Sequence, residues 1–383
     1  MASSETSTGL SGRMTVNLEA LARNWRALDK VSPGALTAPV LKADAYGIGL
    51  EAAGKALEAA GARFFFVATP DEGVQLRAVL SDAHIFVLNG LYPGAARLYL
   101  EQRLMPVLGT MPALEEWLQV CTEFNEAFPA ALHFDTGMNR LGFQMREAGQ
   151  VRELIDSFGY LPQMVMSHLA CADQPNHEKN RTQLALFQSV LAQFPGIPAS
   201  LANSAGLING RDYHYQMVRP GISLYGGRAV SGRPNPMTPV VRLDVPVLQV
   251  RTARTGETVG YGATQLFDRD TRLAILAIGY GDGFPRSLSA NNTRPGGWAA
   301  FDGHKMPVAG RISMDTTAVD ITELRDNIPK AGDLMEIIGP TISVDDQADA
   351  AGTIGYELLT SLKGRYTRSY AGGSVTVKES MKA

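Results

Sequence analysis

Cysteine is nearly missing from this sequence: Cys121 and Cys171 are the only two among 383 residues. Two are too few for a disulfide framework, and they lack the CxxC spacing of a zinc site. That scarcity predicts a reducing setting, the cytoplasm. No apolar run approaches the roughly 18 residues needed to cross a bilayer, so no membrane span is expected. Excess positive charge is absent too, since 35 Lys and Arg stand against 38 Asp and Glu, a formal charge of -3. Without a basic field, nucleic acid is not an expected partner, nor is an anionic lipid surface. The opening MASSETSTGLSG has no hydrophobic segment, so residues 1–13 read as a flexible tail rather than a signal peptide.

What is present is a long chain with 45% apolar and 19% charged residues, the balance of a globular enzyme or binding protein. At roughly 150 residues per domain its length predicts two or three domains. From Met14 onward, short β-branched or aromatic runs alternate with helical stretches, which is the sequence form of βα units. Apolar runs fall at 37–42, 63–68, 83–88, 105–108, 131–135, 163–168, 199–202 and 216–223. Helices are predicted at 18–28 and 50–60, and around Leu184, Phe187, Leu191 and Phe194, where spacings of three and four make an apolar stripe. Eight such strands within residues 14–238 predict an α/β fold, an N-terminal (β/α)8 TIM-type barrel. An open doubly wound sheet is the competing architecture. Near residue 238 the pattern changes: Val241, Leu243, Val245 and Val247 alternate with Arg242, Asp244 and Pro246. Further strands are expected at 272–278, 316–321 and 333–338, a hairpin at Asp302-Gly303, and one helix at about 354–362. Residues 239–383 therefore read as a mostly β C-terminal domain.

In a barrel of this kind, reacting groups gather at the C-terminal ends of the strands. Those positions carry Lys42, Asn89, Asp135 with Arg140, His168, Asn203 with Ser204, and Arg219 with Gly221. A lysine closing an apolar run sits among low-dielectric neighbours, which lowers its pKa and makes it a Schiff-base nucleophile. The same lysine can instead extend into solvent. NSAG at 203–206 and RPGIS at 219–223 follow the last two strands, where barrels often bind phosphate through exposed backbone N–H groups. Tyr46 offers a further donor, although both strings are also ordinary turn chemistry. His133, Asp135 and His168 leave a metal-hydrolase alternative open. Against it, a lysine stands where an HxH pair would close the first strand. In the second domain, VGYGA (259–263), GYGDG (279–283) and GRISMDT (310–316) place polar residues beside glycines, as the wall of a site does and as loop punctuation also does.

VLKADAYG (40–47), DTGMNRLG (135–142), SHLACAD (167–173), LANSA (201–205), VRPGISLYG (218–226), VGYGA, GYGDG and GRISMD (310–315) together resemble, in order, the alanine racemases, fold-type III pyridoxal phosphate enzymes. The resemblance runs from about residue 14 to 370. It implies a barrel followed by a β domain, pyridoxal 5'-phosphate as cofactor, and a small-molecule amino-acid substrate. It also implies a homodimer with shared active sites, each built from one barrel and the other chain's β domain. Lys42 would hold the cofactor as a Schiff base and serve as one catalytic base, with Tyr261 of the partner subunit as the second. His168 would lie beside the cofactor ring and Arg219 would face its pyridine nitrogen. Tyr46, Asn203, Ser204, Gly221 and Ile222 would hold the phosphate end. Arg140 would approach the cofactor's phenolic oxygen and the substrate, while Met314 and Tyr280 would meet the substrate from the β-domain side. The implied activity is interconversion of L-alanine and D-alanine, supplying D-alanine to the cell wall. Inversion needs a base on each face of Cα. An arginine at the pyridine nitrogen disfavours its protonation, which fits racemisation better than transamination.

Three positions depart from the family pattern. His133 stands where many members carry a lysine that is carbamylated and braces the arginine, and an imidazole cannot form that carbamate. Ser200 stands where a histidine is frequent. A tyrosine that some members place near the mouth of the site aligns with Gly364, and Tyr366 is not given that role. Rival readings are a broader serine/alanine racemase, a non-catalytic pyridoxal phosphate-binding protein, and a decarboxylase of related fold. The last would need a catalytic cysteine in the β domain, where none lies beyond Cys171.

Overall fold

The computed structural model describes residues 12–362 and 364–372, so the tail expected at 1–13 lies almost wholly outside the described residues. Each of the eight predicted runs becomes one strand of a parallel sheet. Its spatial order is Leu36–Thr37, Met217–Arg219, Ala199–Asn203, Met164–Met166, Ala131–His133, Leu104–Leu108, His84–Val87 and Phe64–Val67. The first segment pairs on both sides. Leu36 and Thr37 align with Met217 and Val218, and a parallel bridge joins Val40 to Phe66. That second pairing closes the ring and excludes the open doubly wound sheet. The strands are short and almost entirely buried, as parallel strands covered on both faces must be.

The helices follow their apolar stripes. Leu18–Val31 buries Leu18, Leu21, Trp25 and Leu28 at spacings of three and four, and Asn17 caps it by accepting the Ala20 N–H at 2.9 Å. Leu50–Ala60 lies where it was predicted. The stripe around Leu184 belongs to Glu178–Leu191, whose buried Gln183 reaches inward to the barrel.

The second sheet is also cyclic: Thr271–Leu276, Thr317–Asp320, His304–Ala309, Trp298–Phe301, Leu334–Ile338 and Val241–Ala253 pair in turn, and the last returns to the first. Asp302 and Gly303 turn the predicted hairpin, both at positive φ. The strand Arg13–Asn17, which takes the last residue of the expected tail and the first four of the 14–238 segment, is hydrogen-bonded not into the barrel but into this sheet, between Val241–Ala253 and Thr367–Ala371. The first strand among the described residues thus lies in the β sheet, ahead of the barrel. Helix Gly355–Ser361, at the predicted place, rests on the loop after Lys42, so closely that a Cβ on Gly47 would overlap the Leu359 carbonyl.

Candidate active site

At the barrel mouth lies a chamber of about 250 Å³. Its walls include Lys42, Tyr46, His168, Asn203, Ser204, Arg219, Gly221 and Ile222, the residues expected at the cofactor, together with Arg140. His133, Asn89 and Tyr356 complete the polar lining.

The predicted run 37–42 does not continue as a strand to Lys42. Sheet pairing ends where the Leu41 N–H reaches the Phe66 carbonyl at 2.7 Å. Ala43, Asp44, Ala45 and Tyr46 then all take φ between 52° and 55°, a left-handed turn made without glycine. The Ala43 N–H leaves the sheet because it donates to Glu72 Oε1 at 2.7 Å. Burial lowers the Lys42 pKa, Arg140 lowers it further, and Glu72 opposes them. At the end of the turn Tyr46 stacks on Tyr225, 4.4 Å between centroids, and the Tyr225 hydroxyl donates to the Val40 carbonyl.

Arg219 is buried at the chamber floor. It donates to Ser200 Oγ, to the Ser167 carbonyl at 2.7 Å and to the Leu201 carbonyl, and it lies 3.4 Å from His168 Nδ1. All are neutral acceptors, and no carboxylate among the described residues pairs with it. Burial without a counter-ion pulls its pKa down to about 9, which still leaves a cation at neutral pH. His168 is held well below the ordinary imidazole range by burial and then by Arg219, Arg140, His133 and Lys42. Burial, then Arg219, pulls His133 down to about 4. Both rings are therefore neutral at pH 7. Gln183 pins the His168 strand end, donating to the His168 carbonyl at 2.9 Å and accepting the Ala170 N–H at 2.8 Å.

Beside this floor, Ser204 Oγ accepts the N–H of Gly221 at 2.8 Å, and Asn203 Oδ1 accepts that of Gly206. A Cβ on Gly221 would overlap the Tyr46 hydroxyl, so only glycine leaves this cup open. The cup, the cations and the lysine suit a planar, doubly charged phosphate ester with an aldehyde. Among the described residues no group of three or more His, Cys, Asp or Glu is placed to hold a metal ion. Asp135 Oδ1 accepts the N–H groups of Gly137 and Met138.

Tyr261, Tyr280 and Met314 are not in the chamber. They are 69%, 41% and 51% exposed on one face of the β domain. Their loops are knit together: Tyr280 and Gly281 donate to the carbonyls of Ser313 and Met314, and Arg311 packs beneath Gly260 and Gly262. Arg365 ties Asp282 to Asp315. Tyr366 is buried, its hydroxyl donating to the Asp282 carbonyl at 2.9 Å. Ser200, the second departure, bridges Arg219 to the Met217 carbonyl.

Sequence reasoning missed Tyr356. It rises from helix Gly355–Ser361 into the chamber wall, 5.9 Å from the Tyr46 ring, and burial pushes its pKa up to about 12. The helix was predicted, but its docking on the barrel mouth is a tertiary fact without a local signal.

The family model "Alanine racemase, N-terminal domain" matches residues 16–229, and "Alanine racemase, C-terminal domain" matches 240–370. An alanine racemase of Rhizobium meliloti (strain 1021) is 47% identical over 371 residues, covering 95% of this chain and 98% of that protein. A biosynthetic alanine racemase of Agrobacterium fabrum is 47% identical over 365 residues, 94% of this chain and 93% of the relative. Among solved structures, the alanine racemase from Bartonella henselae with covalently bound pyridoxal phosphate matches with a TM-score of 0.88 at 37% identity, covering 94% of this chain and 99% of that one. Both halves of the molecule, the lysine-bearing barrel and the β domain that carries Tyr261, are matched over nearly their full length, and the chain belongs to the alanine racemase family.

Proposed function

We propose that the chamber holds pyridoxal phosphate through Lys42, and that the chain, an isomerase of the alanine racemase family, interconverts L-alanine and D-alanine there. The observation that carries this reading is the company Lys42 keeps. A half-buried amine with a lowered pKa faces a floor of uncompensated positive charge and a cup that only glycine leaves open. In this reading Tyr46, Asn203, Ser204, Gly221 and Ile222 take the phosphate end, His168 flanks the ring and Arg219 faces the pyridine nitrogen. Tyr356, at the same end as Tyr46, joins them.

When bound, the cofactor withdraws electrons from the substrate Cα and so makes its proton removable. Lys42 takes or returns that proton on one face, its amine kept available by burial and by Arg140. Tyr261 of the partner subunit serves the opposite face. The exposure of Tyr261, Tyr280 and Met314 together, outside their own chain's chamber, supports a homodimer in which this patch covers the other chain's barrel mouth. Arg219 remains a cation among neutral acceptors, so it has no proton to give readily to a ring nitrogen. Neutral His133 cannot carry a carbamate, and Arg140 has no side-chain hydrogen bond or ion pair among the described residues, so in this reading its support is a neutral ring nitrogen, water or an anion.

Among the described residues no helix is long and apolar enough to cross a membrane, and both cysteines are unpaired. The cytoplasm is the setting we propose. Borohydride reduction followed by peptide mapping tests the reading: the cofactor label is expected on the peptide containing Lys42, and a label on Lys55 or Lys305 overturns it. A coupled assay of D-alanine formed from L-alanine, with and without added pyridoxal phosphate, tests the activity.

A further inference from the structure

The left-handed turn after Lys42 needs an external hold. Four consecutive residues with a Cβ sit in a region where that Cβ crowds the following carbonyl, and such runs persist only where the surroundings over-determine them. At its far end the turn is tied to the β domain. Asp44 accepts the Leu50 N–H at 2.7 Å and pairs with Arg368 at 3.1 Å, while Arg368 and Tyr370 donate to the carbonyls of Gly47 and Ile48. At its near end, next to Lys42, the side chain that holds it is Glu72. One oxygen of that carboxylate accepts the Ala43 N–H at 2.7 Å, and the other accepts those of Ala68 at 2.8 Å and Thr69 at 3.3 Å. Glu72 thus joins the end of one barrel strand to the residue after Lys42, across two neighbouring walls of the chamber, and Ala68 itself lines it.

We propose that Glu72 is a positioning residue for Lys42: its carboxylate fixes the first amide of the left-handed turn, and so the direction in which the lysine enters the chamber, while placing one negative charge beside it. The sequence presents Glu72 in another role, as the third residue of helix Pro70–Arg77, where it forms a capping box with Thr69. A capping box requires only the Thr69 N–H and the Thr69 hydroxyl. The bond to Ala43 is additional, and it spans 29 residues to the chamber. The charged and titratable groups that act on Lys42 are Arg140 and Glu72, of opposite effect, and Lys42 in turn acts on His168. Glu72 is therefore an acidic neighbour of Lys42 set behind the wall of a cationic chamber, and removing its charge should make the lysine lose its proton more readily.

The inference rests on Lys42 being the cofactor lysine, and the test separates the two. In the full-length apo-protein, competitive acetylation of Lys42 across pH, read peptide by peptide by mass spectrometry, reports the amine itself whether or not it carries the cofactor. Glu72→Gln presents an NH2 to backbone N–H donors in place of one acceptor. It is expected to move the Lys42 labelling profile to lower pH, so that labelling at pH 7 is several-fold faster. In the holoenzyme it is expected to lower kcat at least tenfold, as displaced reacting groups do, with KM for alanine changed less than threefold. Glu72→Asp keeps the charge but is one methylene short of Ala43. It should retain the wild-type labelling profile yet lose kcat, and it carries the test if the glutamine variant fails to fold. Thr69→Ala breaks the other half of the capping box, and Asp71→Asn removes an exposed charge from the same helix turn. Both should leave the Lys42 profile and kcat near wild type. Equal thermal shifts for Glu72→Gln and Thr69→Ala, with an unchanged Lys42 profile and unchanged kcat, would reduce Glu72 to a helix cap and overturn the proposal. A borohydride label away from Lys42 would instead break the cofactor reading and leave the apo-protein profile as an independent result.

Discussion

The chamber at the barrel mouth and the Tyr261 patch on the β domain are built from opposite materials. The chamber is enclosed and over-determined. Arg219 has several acceptors, Gln183 holds the His168 strand end, and Lys42 stands at the head of a turn clamped from both ends. The patch is open: Tyr261, Tyr280 and Met314 face outward, held in place by the loops beneath them rather than by anything above. A phenol with the catalytic role proposed for Tyr261 would gain nothing from solvent, where neighbouring dipoles are not fixed. The contrast is what the proposed shared site would require: one half of it enclosed within the barrel, the other half carried on an exposed surface of the β domain.

The largest effect should come from the enclosed half. In the proposed reading Lys42→Ala removes a base and the cofactor's anchor together, and racemase activity is expected to fall about 10³-fold or more in a steady-state assay. Retention of activity within tenfold would break the comparison at its stronger side. Tyr261→Phe, on the open half, removes only a hydroxyl. A loss of about 10²-fold is expected, with solvent-deuterium incorporation suppressed more in one direction of turnover than in the other. Equal suppression in both directions would argue against a base reserved for one face.

The two halves also differ in their response to acid, because the neutral histidines lie in the chamber. Unfolded, His133 takes up a proton near pH 6.5, and in the fold only near 4. Between those values the unfolded chain binds more protons, so stability is fully present above pH 6.5 and is lost as pH falls toward 4, by about 3 kcal/mol. His133→Gln should flatten that loss in urea unfolding at pH 7, 5.5 and 4.5, and part of the slope should remain with His168, which shifts the same way. An unaltered slope would mean that His133 is not the buried neutral ring described. Smallest of all, Tyr366→Phe should cost about 1 kcal/mol through loss of its bond to the Asp282 carbonyl, with kcat and KM unchanged. A raised KM would give Tyr366 a place at the mouth of the site after all.

The barrel was legible because each of its strands is a continuous apolar run with turn residues after it, and strand ends are where barrels carry chemistry. Lys42, His168 and Arg219 could be picked out for that reason. The left-handed turn was not legible: Ala43, Asp44, Ala45 and Tyr46 have no composition that marks positive φ, and the hold comes from Glu72 and Arg368, distant in sequence. Nor could local pattern show that Arg13–Asn17 joins the second sheet, since its pairing partners lie more than two hundred residues away. Tyr356 was hidden for the same reason: its helix could be read, the surface it docks on could not.

Whether the two halves of a site belong to different chains is tested most directly by mixing. If the proposed homodimer with shared sites holds, the Lys42→Ala and Tyr261→Phe variants each lack one base at both sites and should be nearly inactive. Co-expressed, random pairing makes half of the dimers mixed, and each mixed dimer has one site with both defects and one with neither. About a quarter of wild-type activity should return. If mixed dimers are shown to form and activity stays at the level of the parents, Lys42 and Tyr261 act within one chain and the shared site is wrong.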